Sequence, residues 1–295
     1  MSGIGGQTAV YALLGWPVGH SLSPALHNRW FAEAGLDAVY VALPAAPNDG
    51  LALLDAVRAL GLAGVNLTAP HKTSLFTAVE ALTPAARATG AVNTLVHRDG
   101  RWWGDNTDAQ GFVDAHALQL AGRWSETDVV ILGAGGAAAA VAAGVLSAGA
   151  RSIRVAARRP AAAQAVAERL LAGRAALGRP EVSIGVRSWG PEALAGAGLV
   201  VVATGHGGEE VGAAWGEVLA PGALVADLNY WHTGPGLRAT AAALGHPVTE
   251  GSGMLLHQAA AAFEAWTGVR PALSVGRAIL DAHLAARFGY RRGEG

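Results

Sequence analysis

Residues 129 to 141, VVILGAGGAAAAV, constrain this chain more than any other stretch: an apolar run meets three glycines within four positions and then gives way to alanine. A continuous apolar run bounded by glycine suits a strand buried on both faces, and the alanines suit a closely packed helix. Gly133-x-Gly135, with Ala138 at the third small position, has the form of a dinucleotide-binding turn. Small residues let the main chain approach a pyrophosphate, and the helix start beyond them offers N–H donors and a partial positive charge. A turn selected only for tight helix–strand packing fits the same pattern. The uncharged run from Val129 to Ala150 is also long enough to cross a bilayer, but the glycine cluster inside it favours strand, turn and helix.

The rest of the chain repeats this rhythm. Strands are expected at 128–132, 152–156, 182–186, 199–203 and 224–227, separated by alanine-rich helices, as in a nucleotide-binding domain. Upstream, strands at 9–14, 38–43 and 65–67 alternate with helices at 24–34, 51–60 and one opening at Pro70, which predicts a mainly parallel sheet. A glycine-rich stretch at 100–104 precedes a helix running to about Leu120, with Thr107 or Asp108 as its cap. Two helical segments, 254–266 and 272–288, end the chain. With 295 residues, 52% hydrophobic and 15% charged, two domains of α/β class are expected.

A net charge of -1 lacks the basic excess of a nucleic-acid surface, so small-molecule partners are expected, with no nucleic acid and no membrane. There is no cysteine, hence no disulfide, thiolate metal site or cysteine nucleophile. His20 and His27 are seven apart and no HExxH pattern occurs, so no metal is assigned. The first residues lack a basic segment ahead of an apolar one, which makes the cytoplasm the default compartment.

Polar residues cluster where parallel sheets place ligands, at strand ends and helix starts. In VNLTAPHK (65–72), Ala69-Pro70 reads as a helix start, with Leu75, Phe76, Val79 and Leu82 on one face. Lys72 then falls in the first turn, where the helix dipole disfavours a cation by up to about 1 kcal/mol. Asn66, Thr68, Lys72, Asn93 and Asp108 would make a pocket suited to a polyhydroxylated molecule. Ser21 and Ser23 could hold a carboxylate, although Ser23 before Pro24 is equally explained as a helix cap. After the second nucleotide-domain strand stand Arg158 and Arg159 where an NAD site usually has an acid; arginine forks match a phosphate, which favours NADP, with NAD possible. Two solvated surface arginines are the plainer reading.

Taken in order, the motifs resemble the shikimate dehydrogenase family over nearly the whole chain: GxPxxHSxSPxxHN at 15–28, NxTxPxK at 66–72, GAVNT at 90–94, GxNTD at 104–108, GAGGA at 133–137 and GxGMLxxQ at 251–258. The resemblance implies a substrate domain of residues 1–108 plus 251–295 and an inserted doubly wound Rossmann domain of residues 109–250. It implies reversible reduction of 3-dehydroshikimate to shikimate with NADPH, in aromatic amino acid biosynthesis, by a monomer or homodimer. By position, Lys72 and Asp108 look like the catalytic pair, and Ser21 and Ser23 like the carboxylate site. Asn66, Thr68, Asn93 and Gln258 would hold ring hydroxyls, with Tyr230 bordering them. Gly133, Ala134, Gly135, Gly136, Ala137, Arg158, Arg159, Thr204, Leu228 and Gly251 would contact the cofactor. The chain departs from the pattern at Ala157-Arg158-Arg159, where the family usually reads Asn-Arg-Thr, at Val202-Ala203-Thr204 for Asn-Ala-Thr, and after Tyr230, where Trp231-His232 follow without the usual proline. A quinate or aminoshikimate dehydrogenase, or a non-catalytic sensor of a dinucleotide or shikimate-like ligand, are the alternatives.

Overall fold

Two six-stranded sheets with helices carry the chain, an α/β architecture. A computed structural model describes residues 3–47, 49–175, 177–179, 181–204, 211, 213–230 and 236–288; Trp231 and His232 lie outside them. The chain forms two compact units, the first built from Met1–Gly111 and Leu255–Arg287, the second centred on Phe112–Met254.

In the first unit, β1 (Ala9–Gly15), β2 (Ala38–Pro44) and β3 (Gly64–Leu67) pair in parallel, with β1 in the middle. Helices α1 (Ser23–Glu33) and α2 (Gly50–Ala59) make the crossovers. The sheet then changes character. Beyond β4 (Ala81–Leu82) and α3 (Pro84–Thr89), strands β5 (Thr94–Arg98) and β6 (Arg101–Asp105) form an antiparallel hairpin, and β5 lies antiparallel to β3. The sheet is therefore mixed, in the order β2-β1-β3-β5-β6-β4. The reason is local: Asp99 and Gly100 both have positive φ, 51° and 71°, and a two-residue Asp-Gly loop of that hand joins antiparallel strands. What reads as a glycine-rich loop at 100–104 is half of this hairpin.

The expected helix at Pro70 is absent. Residues 69–74 run through turns, followed by a single 3₁₀ turn at Leu75–Thr77. Leu75 is buried, with Phe76, Val79 and Leu82 packed against the same core of Leu14, Leu54, Val65 and Leu67. The apolar spacing marks the correct inward residues, but turns rather than a helix deliver them.

Past α4 (Asp108–Ala115) and α5 (Ala117–Leu120), the second unit winds in both directions. Its elements are β7 (Asp128–Leu132), α6 (Gly136–Ala148), β8 (Ser152–Ala156), α7 (Pro160–Gly173), β9 (Ser183–Arg187), β10 (Leu199–Val202), α8 (Ala213–Gly216), β11 (Leu224–Asp227), α9 (Leu237–Ala243) and β12 (Val248–Glu250). The order β12-β11-β10-β7-β8-β9 is parallel throughout, a doubly wound sheet whose direction of winding reverses between β7 and β10. Val129 to Leu132 and Leu199 to Val202 are all buried, as strands covered on both faces must be. Helix α6 is buried from Ala138 to Leu146, its small side chains permitting close approach. The uncharged run 129–150 is thus a strand, a turn and a helix; among the described residues no helix is long and apolar enough to cross a membrane.

The last two helices, α10 (Ser252–Thr267) and α11 (Leu273–Phe288), return to the first unit. Trp30 Nε1 donates to Ala272 O (3.2 Å) and Trp266 Nε1 to Leu95 O (2.9 Å). Phe263 and Trp266 join His27, Trp30, Phe31 and Tyr40 in an aromatic cluster, in which His27 stacks on Tyr40 at 4.4 Å and 12°.

Candidate active site

Lys72 Nζ donates to Asp108 Oδ2 at 2.6 Å, with the side chains 18% and 7% exposed. The lysine's backbone is held on both sides. Val92 N–H donates to Lys72 O (2.7 Å) and His71 N–H to Thr68 O (2.9 Å), while His71 Nε2 donates to Ala45 O (2.9 Å). Because no helix starts at Pro70, no helix dipole acts on Lys72, and its charge is met directly by the Asp108 carboxylate. The dipole acts on its partner instead: Asp108 lies in the first turn of α4, where a carboxylate is favoured. Neither Thr107 nor Asp108 caps that helix. Asn106 Oδ1 accepts from Asp108 N (3.1 Å) and Ala109 N (3.4 Å), and its Nδ2 donates to Ala91 O (3.0 Å). The cap therefore leaves the Asp108 carboxylate free to meet Lys72.

A second network runs alongside. Asn66, at the buried end of β3, donates through Nδ2 to Asn93 O (3.2 Å) and Thr94 Oγ1 (3.0 Å) and accepts at Oδ1 from the Tyr40 hydroxyl (2.9 Å). Asn93 Nδ2 donates to Thr107 Oγ1 (3.0 Å), and Asn93 Oδ1 accepts from Thr107 N (2.9 Å). Thr107 Oγ1 is 3.5 Å from Gln258 Oε1 on α10. Ser23 hydrogen-bonds to Tyr40, whose hydroxyl burial pushes well above the usual range, the Ser23 contact offsetting part of that rise. Tyr40 thus stays protonated and donates to Asn66. Ser21 Oγ accepts from Ser23 N (3.2 Å), so Ser21, not Ser23, satisfies the first open N–H of α1. Thr68 follows β3, and a Cβ at Gly15 would sit 2.2 Å from its methyl group. Ser23, Asn66, Asn93 and Gln258 share one network, and Lys72 and Asp108 adjoin it through Asn106 and Thr107. Tyr40 and Asn106 are members that sequence reasoning passes over, and Thr107 enters it only as a candidate helix cap. Asn106 and Thr107 sit inside the GDNTD motif; no local signal marks Tyr40.

In the second unit a cleft of about 560 Å³ is lined by Gly133, Ala134, Gly135, Arg158, Arg159 and Thr204, together with Trp189. It lies at the ends of β7 and β10, where the winding reverses and ligands of such sheets bind. Gly133 has φ 120°, and a Cβ there would be 2.7 Å from Ala203 O, so only glycine serves. Above Gly135 there is open space, and Gly136 and Ala137 begin α6 with their N–H groups unclaimed by preceding turns of helix. A narrow turn, an open approach and two arginines at the β8 end fit a phosphorylated dinucleotide. Gly251 is pressed on Leu228: a Cβ would lie 1.9 Å from Leu228 O. Tyr230 follows β11 and belongs to the second unit, whereas Lys72 and Asp108 belong to the first. Among the described residues no group of three or more His, Asp or Glu could hold a metal ion.

A protein of Rhodospirillum rubrum named shikimate dehydrogenase (NADP(+)) is 44% identical over 277 residues, 91% of this chain and 95% of its own. The chain belongs to the shikimate dehydrogenase family. The family's substrate-binding domain matches residues 13–95, which contain Lys72, and its C-terminal domain matches residues 251–280, which contain Gln258. A shikimate dehydrogenase crystallised with NADP+ superimposes with a TM-score of 0.83 at 34% identity, covering 95% of this chain and 98% of that one. Quinate dehydrogenase from Corynebacterium glutamicum, in complex with NAD, gives 0.81 at 31% identity over 92% and 98%. The chain is therefore similar to solved proteins named for different substrates and bound to different cofactors.

Proposed function

We propose that this chain catalyses the reversible reduction of 3-dehydroshikimate to shikimate with NADPH, in the cytoplasm, as a monomer or homodimer serving aromatic amino acid biosynthesis. The first unit is the substrate domain and the second the cofactor domain. The observation that carries the reading is the Lys72–Asp108 contact beside a network of neutral donors and acceptors.

When bound, the nicotinamide supplies the hydride. The chain's own residues handle the proton and the orientation. Lys72 gives a proton to the carbonyl oxygen as it becomes an alkoxide, and Asp108 holds the ammonium in place. Ser21 and Ser23, at the start of α1, receive the substrate carboxylate. Asn66 has both N–H groups committed, so its remaining capacity is the second lone pair of Oδ1, suited to accepting a ring hydroxyl. Thr68, Asn93 and Gln258 complete the hydroxyl contacts, and Tyr230 is assigned to the substrate from the second unit. Gly133 to Ala137 take the pyrophosphate, Arg158 and Arg159 the 2′-phosphate, and Thr204, Leu228 and Gly251 the remainder of the dinucleotide.

The likeness to a quinate dehydrogenase with NAD favours one second reading, in which this site takes quinate. Steady-state oxidation of shikimate and of quinate, each with NADP and with NAD, separates the two. The proposal expects shikimate with NADP to give the highest kcat/KM. Dominance of quinate sinks the first reading, and no turnover with any pair sinks both and leaves a sensor.

A further inference from the structure

Trp189 lines the second-unit cleft together with Arg158 and Arg159. Across the sheet, the cleft is bordered first by the turn after β7, then by Ala157 to Arg159 after β8, then by Trp189 after β9. Adjacent strands lie about 4.8 Å apart, so the end of β9 is roughly 10 Å from the end of β7, on the far side of the arginines. A dinucleotide with its pyrophosphate on Gly133 to Gly136 and its 2′-phosphate at Arg158 and Arg159 therefore directs its adenine toward β9.

Trp189 is the one aromatic residue lining the cleft among the described residues. Its indole is half-buried and backed by Trp215, itself buried, with ring centroids 5.2 Å apart at 59°. A second ring behind it fixes the indole, so little side-chain freedom remains to be lost when a base settles on it. Every purine has a π-face, and stacking on an aromatic side chain needs no hydrogen-bond code.

We propose that Trp189 is the platform on which the adenine ring of the bound dinucleotide stacks. This rests on the reading of the cleft as the NADP site, and it assigns Trp189 to affinity rather than to chemistry.

The probe is adenosine 2′,5′-bisphosphate, which carries the adenine and the 2′-phosphate and lacks the nicotinamide. Titration calorimetry on the full chain is expected to show roughly tenfold weaker binding for Trp189→Leu, with Trp189→Phe within about threefold of wild type. Binding is also expected to quench tryptophan fluorescence in wild type, and Trp189→Phe to lose most of that quench. The fluorescence comparison stands by itself if Trp189→Leu fails to fold. Equal affinity in wild type and Trp189→Leu, or an undiminished quench in Trp189→Phe, overturns the assignment while leaving the NADP reading intact. Failure of the wild-type chain to bind the probe overturns both.

Discussion

Lys72 Nζ meets Asp108 Oδ2 at 2.6 Å across two unlike supports, a run of turns after β3 and the first turn of α4. The turn segment carries no dipole, so nothing in the backbone makes Lys72 unusual; its setting is made by the carboxylate. Asp108 in turn depends on Asn106, which caps the helix in its place.

Asn106→Ala is expected to remove that cap and to let the first turn of α4 fray. Loss of an N-cap costs about 1 kcal/mol, and a slack first turn displaces Asp108 from Lys72. Thermal melting should fall by a few degrees. Turnover of shikimate should fall further than the melting change explains, so kcat at a temperature well below the transition is the quantity to measure.

Tyr40→Phe deletes one hydroxyl and strands two buried groups, Asn66 Oδ1 and the Ser23 hydroxyl. A buried polar group left without its partner costs about 1–3 kcal/mol. The KM for shikimate is expected to rise by roughly tenfold, because both groups are proposed substrate contacts. Unchanged KM would remove Asn66 and Ser23 from the substrate site.

Two glycines should respond in opposite ways. Gly251→Ala drives a Cβ to 1.9 Å from Leu228 O, a backbone atom that cannot turn aside, and should lower the melting temperature by several degrees. Gly135→Ala meets nothing within 4 Å and should leave melting unchanged. Its methyl group instead enters the approach to the turn, so the KM for NADP should rise. Melting curves and NADP titrations on both variants check the pair.

His27 gives a pH dependence with a definite sign. It is fully buried among aromatic rings, neither ring nitrogen has a hydrogen bond, and burial lowers its pKa to about 3. The unfolded chain, with a histidine pKa near 6.5, takes up the proton first. This contribution to stability is therefore complete above about pH 6.5 and is lost as pH falls toward 3, by about 1.4 kcal/mol per unit at most. The difference in melting temperature between wild type and His27→Phe should be constant above pH 7 and change steadily below it. A flat difference down to pH 4.5 would contradict the burial argument.

Legibility in the sequence followed the range of the forces involved. Strands 128–132 and 224–227 are local apolar runs ended by Gly133 and Asp227, 152–156 alternates polar with apolar residues, and the structure has strands over all three. At Pro70 the apolar spacing was informative and the conformation was not, since Leu75 and Phe76 reach the core through turns. The β5–β6 hairpin had a readable signal in Asp99-Gly100, masked by neighbouring glycines that suggested a loop. Tyr40 could not be singled out at all. Its role depends on meeting Asn66, 26 residues away, and Ser23 on a helix packed against the same sheet. The proposed proton pair rests on the same kind of long-range contact: position at strand ends and helix starts puts Lys72 and Asp108 in one polar pocket, and only the family resemblance joins them as a catalytic pair.

The most direct test of the account is single-turnover oxidation of shikimate by Lys72→Met under saturating NADP, alongside shikimate binding to the same variant. Positioned proton transfer contributes roughly 10²–10⁴-fold, so the rate should fall by at least about a hundredfold while shikimate affinity stays within about tenfold of wild type. A rate within about threefold of wild type would contradict the assignment of the proton to Lys72.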